Sequence, residues 1–201
     1  MSASAHPLHT RQGFAVWLTG LSGSGKTTIC RMLAPELRAR GFAVQVLDGD
    51  HMRKTLCCDL GFSKADRDEN ILRIGWLARL LVDRGYIVLV AAISPYQETR
   101  LAVRRRIGKF IEVYVDASLS TCIQRDPKRL YARALAGKLP GFTGIEAPYE
   151  PPMFPDVRCD TESETCSESV AKVFNAILQL QTSSASPACN GRLHREDRTL
   201  P

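Results

Sequence analysis

Along the chain, short unbroken apolar runs alternate with longer stretches in which apolar residues recur every three or four positions. FAVWLT at 14–19 is the first such run and ends at a glycine, which predicts a buried strand. AVQVLD (43–48), YIVLVAAI (86–93) and FIEVYVD (110–116) predict three more. The unbroken hydrophobicity of YIVLVAAI marks a parallel strand covered on both sides, since a strand with one wet face would alternate. Between the strands, residues 26–40 predict a helix closed by Gly41. A longer helix begins near Ser63, which stands at capping-box spacing from Asp66, with Asp in place of the usual Glu. Ile71, Ile74, Ala78 and Leu81 mark its apolar face, and Gly85 ends it.

A basic helix is expected at 97–107, helical segments at 118–125 and 127–137, and an amphipathic helix at 167–180. The Pro/Gly-rich stretch 139–155 reads as a loop. Strands alternating with helices imply one α/β domain, its sheet mostly parallel and helices on both faces. Residues 1–12 read as a flexible lead, 13–180 as the domain, and 181–201, rich in Ser, Pro and charge, as a disordered tail.

Composition narrows the setting. A chain of 201 residues with 44% hydrophobic content suits a single globular domain. The longest apolar run is too short to span a bilayer, and the first residues lack the apolar segment of a secretory signal. Seven cysteines, an odd number with no C-x-x-C pair, argue against a zinc site or a disulfide framework. A cytoplasmic protein with no membrane association is therefore expected, with Cys57 and Cys58 as free thiols.

The net charge of +6 is unevenly spread. Residues 100–138 hold ten Lys/Arg against three Asp/Glu, and 146–172 hold seven acids against two bases. Basic excess suits nucleic acid or a highly anionic small substrate. No aromatic-interleaved basic stripe is present, so nucleic acid is not expected as the partner.

GLSGSGKT at 20–27 satisfies G-x-x-x-x-G-K-[ST] between a predicted strand and a predicted helix, the context that gives this motif its mechanism. Gly20, Leu21, Ser22, Gly23, Ser24 and Gly25 then wrap a triphosphate with backbone N–H groups, and the helix start at Lys26, Thr27 and Thr28 adds its dipole. Lys26 is expected on the β- and γ-phosphates, and the Thr27 hydroxyl on Mg²⁺. The fold expectation becomes a P-loop NTPase-type three-layer sandwich, with ATP and Mg²⁺ as the donor system. A GTPase would carry N/T-K-x-D after a later strand, and none is found. The short chain points to a small-molecule kinase.

LDGDHMRKTLCCDLGFSKADRDEN at 47–70 follows the second strand, at the edge where open α/β sheets bind ligands. Asp50 is placed to orient or deprotonate an acceptor hydroxyl, directly or through the metal. Arg53 and Arg67 offer fork-shaped cations for phosphate or sulfate. Phe62 can stack on a base and Asn70 hydrogen-bond one. Residue by residue, a polar turn with a solvated helix face explains the same set.

GLSGSGKTT, LDGDHMR, DLGFSKADRDENI, ISPYQETR, RDPKRLY and GFTGIEAPYEPP, in that order between Gly13 and Leu180, closely resemble the adenylyl-sulfate kinase family. The P-loop alone is shared with many families, whereas the later motifs are far more specific. The resemblance implies transfer of the ATP γ-phosphate to the ribose 3′-hydroxyl of adenylyl sulfate, in sulfate activation. It implies Asp50 as the metal-linked or basic aspartate, with Asp48, Arg53, Arg67, Asn70, Ile93, Ser94 and Lys128 about the substrate and its phosphates. Phe62 and Phe142 would stack about the adenine. Ser94 matches a position described in some members as a phosphoserine; the other reading is a structural loop residue beside the substrate. The family also implies a homodimer and a separate sulfate adenylyltransferase. Two alternatives stand beside it: another small-molecule or nucleotide kinase on this fold, or a catalytically silent nucleotide-binding module. Departures are Arg129 where the family usually has glycine, Pro140 before the Gly-Phe pair, the Cys57–Cys58 pair, and His51 and Met52 at variable positions.

Overall fold

A computed structural model describes residues 12–183. Its strands are β1 (Phe14–Thr19), β2 (Val44–Asp48), β3 (Ile87–Ala91), β4 (Phe110–Asp116) and β5 (Val157–Asp160). They form one sheet in the order β2-β3-β1-β4-β5, and every neighbouring pair is parallel. The first four lie where the apolar runs predict strands. β5 was not predicted. It is a four-residue edge strand, VRCD, in which only Cys159 is fully buried, so it leaves no apolar run.

The helices are α1 (Lys26–Ala39), α2 (Gly49–Lys54), α3 (Lys64–Val82), α4 (Gln97–Ile107), α5 (Leu119–Arg125), α6 (Leu130–Leu135) and α7 (Cys166–Ser183). α2 was also missed, because its six residues are mostly polar and carry no period; its start is fixed by the Asp48 side chain accepting from the Asp50 N–H. The helix expected at 127–137 is shorter, since Arg129 adopts φ +54° and starts α6 only at Leu130. α7 continues to Ser183, past its expected end at 180. The expected lead, apart from Gln12, and the expected tail from 184 onward lie outside the described residues.

Alternation along β1 builds the layers. Phe14, Val16 and Leu18 face α1 and α7, packing with Ile29, Leu33, Leu37, Val173 and Ile177. Ala15 and Trp17 face the other side, with Ile71, Ile74 and Ala78 of α3 and Val103 and Ile107 of α4. The two-sided burial predicted for the sheet is therefore present. On α3 both bonds of the Ser63–Asp66 capping box form. Its buried face ends at Val82 rather than at Leu81, which is only partly covered. A third cluster joins Ala117, Cys122, Tyr131, Ala134 and Phe142 beneath the 139–147 loop. All six cysteines among the described residues are free thiols, and no described helix is long and apolar enough to cross a membrane.

Because all strands run the same way, their carboxyl ends share one edge, where ligands of such sheets bind. The P-loop, α2, the turn after β3 and the start of α5 converge there.

Candidate active site

Between Thr19 and Lys26 the chain makes the tight phosphate-binding turn that its glycines predict. Gly20 has φ +150°, and a Cβ there would lie 2.4 Å from the Val115 carbonyl oxygen, so no side chain fits. Gly25, the residue before α1, has φ +108°, a left-handed value that glycine adopts without strain. The Lys26 ammonium folds over the loop and donates to the carbonyls of Gly20 (2.8 Å) and Leu21 (2.7 Å). Burial first, and then the nearby Lys128 charge, lower its pKa to about 8. The Thr27 hydroxyl donates to Asp48 Oδ2 at 2.8 Å, while Asp48 Oδ1 accepts from the Asp50 N–H at 3.0 Å.

A cavity of about 850 Å³ opens over this loop, within the ~300–1,000 Å³ usual for ligand sites. Ser22, Gly23, Gly25, Lys26, Thr27 and Thr28 form one wall. Asp50, Arg53, Phe62, Arg67 and Asn70 form another, with Ile93 and Ser94 from the turn after β3 and Lys128 and Phe142 from the segment after α5. Gly20, Leu21, Ser24 and Asp48 stand behind the lining: Ser24 Oγ accepts from Lys26, and Leu21 packs into the third cluster. Lys128 pairs with the Asp50 carboxylate.

On the second wall the arginines flank an aromatic ring. The Arg53 guanidinium lies 4.9 Å from the Phe62 ring centre and that of Arg67 5.8 Å. Arg53 donates to the Gly61 carbonyl at 2.6 Å. Arg67 donates to the carbonyls of Phe62 (2.9 Å) and Gly141 (2.5 Å) and to the Thr143 hydroxyl (2.5 Å), so it ties α3 to the 139–147 loop. Burial, and for Arg53 the charge of Arg67 as well, press both guanidinium groups below their usual pKa. An anion between them would relieve that repulsion. Asn70 is 6% exposed, and its Oδ1 has no partner. A buried acceptor left open on a cavity wall suits a ligand N–H donor. Phe142 stands edge-on to Tyr131 at 5.1 Å, and the Tyr131 hydroxyl donates to the Ser22 carbonyl at 3.0 Å, joining this loop to the phosphate cradle.

The profile of the family described as Adenylylsulphate kinase matches residues 12–160. The adenylyl-sulfate kinase of Microcystis aeruginosa is 56% identical over 170 residues, covering 85% of this chain and 94% of that one. That of Rippkaea orientalis is 54% identical over the same shares. The chain belongs to the adenylyl-sulfate kinase family. Among solved structures, the Mycobacterium tuberculosis APS kinase CysC in complex with AMPPNP and APS superposes with a TM-score of 0.81 at 43% identity, covering 84% of this chain and 99% of that one.

Against the family reading, every residue named from sequence reaches the cavity or stands directly behind it. Two carry a different emphasis. Ser94 lines the cavity but is 1% exposed, and its hydroxyl accepts from the Trp17 indole N–H at 2.9 Å. Asp48 rather than Asp50 holds the Thr27 hydroxyl. The sequence reading missed Lys54, Arg133, Leu139 and Pro140, which also line the cavity. Arg133 lay inside the counted basic run, but nothing in its position separated it from its neighbours. His51 is exposed and does not line the cavity, and Met52 is buried in the core. Among the described residues no group of three or more His, Cys, Asp or Glu is placed to hold a metal ion. The oxygen set of Thr27, Asp48 and Asp50 nevertheless fits Mg²⁺, which takes one or two carboxylates and completes its shell with phosphate and water.

Proposed function

We propose that this site transfers the γ-phosphate of ATP to the 3′-hydroxyl of adenylyl sulfate, giving 3′-phosphoadenylyl sulfate and ADP. The observation that carries the reading is one cavity lined by a phosphate cradle and by a second, aromatic, arginine-flanked, amide-bearing wall, with Asp50 among its lining residues. The first wall suits a triphosphate. The second suits a purine nucleotide bearing an anion: Phe62 and Phe142 for the ring, the open Asn70 Oδ1 for its amino group, and Arg53 with Arg67 for negative charge.

The acceptor 3′-oxygen attacks the γ-phosphorus in line as the bond to the bridging oxygen breaks, ADP departs, and the hydroxyl proton moves toward Asp50. Lys26 and Lys128 face the charge carried by the transferring group, the largest catalytic contribution in such reactions. Mg²⁺, held by Thr27 with Asp48 or Asp50, would supply neutralisation of the β- and γ-phosphates. Ser94 belongs to the acceptor floor rather than to a phosphoenzyme, because its hydroxyl is buried against Trp17. Tyr131, Phe142 and Arg67 hold the 139–147 loop over the site, a lid that keeps water from ATP. With this reading come a homodimer, a separate sulfate adenylyltransferase as supplier, and a cytoplasmic setting consistent with the free thiols.

The test is chromatographic: purified protein with Mg-ATP and low micromolar adenylyl sulfate, following ADP and the 3′-phosphorylated product. Stoichiometric product, absent with AMP, is expected. Lys26→Met should lower turnover by about two to three orders of magnitude. ADP formation without acceptor phosphorylation, or an unaffected Lys26→Met, overturns the reading.

A further inference from the structure

The turn that leaves β3 is held in a conformation its own sequence opposes. Ser94 has φ +49°, in the left-handed region that, among the described non-glycine residues, it shares with Arg129 at +54°. It also precedes Pro95, and a residue before proline is driven toward extended backbone. An L-residue placed there needs its surroundings to over-determine it.

The surroundings do so with buried polar groups. The Ser94 carbonyl accepts from Arg100 Nη1 at 2.7 Å, and its hydroxyl accepts from Trp17. The preceding carbonyl, that of Ile93, accepts from the Thr19 hydroxyl at 2.7 Å. The Pro95 carbonyl accepts from the Glu150 N–H at 2.8 Å. Arg100 itself is 2% exposed and fixed by Glu112, Nε to Oε1 at 3.0 Å. Glu112 is in turn faced by Arg104 at 3.9 Å, and its N–H donates to Asp156.

Stability alone is a weak reason for this ion pair. A buried pair often stabilises less than apolar residues of equal volume. Here one guanidinium nitrogen, Arg100 Nη2, is buried without any partner, and burial raises the Glu112 pKa despite the arginine beside it. Arg100 does not line the cavity, but the turn it holds does, through Ile93, Ser94 and Pro95. That turn abuts the acceptor side: Ala91 pairs in register with Asp48, and a Cβ on Gly49 would touch the Ala91 carbonyl at 3.2 Å.

We propose that Arg100, braced by Glu112, is a positioning residue for the acceptor nucleotide, holding the strained Ser94 turn that floors its half of the cavity. The inference rests on the kinase reading for the identity of the acceptor. It assigns Arg100 no contact with substrate.

The experiment compares wild type, Arg100→Met, Ser94→Gly and the double variant. It measures kcat, KM for each nucleotide, and direct calorimetric binding of adenylyl sulfate and of ATP. Arg100→Met should raise KM and Kd for adenylyl sulfate tenfold or more, with those for ATP within about twofold. Glycine adopts φ +49° without strain. In the Ser94→Gly background the same Arg100→Met change should therefore cost at least threefold less. A general loss of core packing would give no such rescue. Equal weakening of both nucleotides, equal losses in the two backgrounds, or an unimpaired Arg100→Met each overturn the proposal. Should Arg100→Met fail to fold, Glu112→Gln keeps the volume and weakens the brace; it must show the same split between nucleotides. A wild type that binds adenylyl sulfate without phosphorylating it sinks the kinase reading but leaves this test readable in the binding constants. One that binds ATP and not adenylyl sulfate sinks both.

Discussion

At the residue scale the informative group is Lys26. Its position was set by the motif, but its protonation is set by burial, which lowers its pKa from 10.5 to about 8. The unfolded chain therefore holds the proton longer, and between pH 8 and 10.5 the protein should gain stability as pH rises through this group. Bound triphosphate favours the charged lysine, so ATP binding above pH 8 must take up a proton. Calorimetry at pH 9 in buffers of differing ionisation heat should show uptake, with ATP affinity falling about tenfold per pH unit beyond the lysine's pKa. Binding with no proton uptake there would remove Lys26 from the phosphates. Arg129 shows the reverse relation between sequence and structure. Its φ of +54° is a left-handed value that glycine adopts without strain, and its side chain is exposed and does not line the cavity.

At the element scale, the contact between α3 and α4 depends on a residue with no side chain. A Cβ on Gly75 would fall 2.8 and 2.9 Å from the two Val103 methyl carbons, and valine has no flexible end to withdraw. Alanine gains about 1 kcal/mol in helix propensity, while overpacking a tight core costs about 1–3 kcal/mol. Gly75→Ala should therefore destabilise the protein, by up to about 2 kcal/mol, seen as a lower denaturation midpoint at unchanged slope. Val103→Ala in the same chain should recover part of the loss. A stabilised Gly75→Ala would mean that α3 and α4 can move apart freely. The period of Ile71, Ile74 and Ala78 made this helix legible. That of β5 and α2 was not, because four edge residues and six polar ones carry no pattern, and their conformation comes from the neighbouring strand and from the Asp48 cap.

For the whole molecule, the structure divides the basic segment that the sequence presents as one. α4 starts at the carboxyl edge of the sheet and ends beside the start of β4, so Arg104, Arg105 and Arg106 lie at the opposite edge from the cavity. Arg104 there pairs with Asp156 at 2.9 Å. Arg100 is buried, and of this segment's basic residues only Lys128 and Arg133 line the cavity. The expectation that the whole run draws in polyanions therefore narrows to its second half. kcat/KM for adenylyl sulfate should fall as salt rises, because charges beyond ~10 Å are screened at 0.1 M. Arg133→Gln should flatten that dependence, and Arg105→Gln with Arg106→Gln should leave it unchanged. Equal flattening by both would restore the whole segment as the steering surface.

What the sequence determined by itself was whatever is encoded locally: the four apolar strands, the capped α3, and the P-loop, where glycine φ angles and one lysine specify the cradle. The residues that line the cavity beside the P-loop were also legible, through motifs whose residue types have few other uses together. Tertiary structure alone decided how those residues are held. It turned Arg67 toward Gly141 and Thr143, closed Lys128 onto Asp50, buried the Ser94 hydroxyl against Trp17, and set Arg100 beneath the turn. All but the last, which spans six residues, join segments far apart in the chain. Such contacts leave no trace in local pattern, because they depend on which strand ends the parallel sheet brings to one edge.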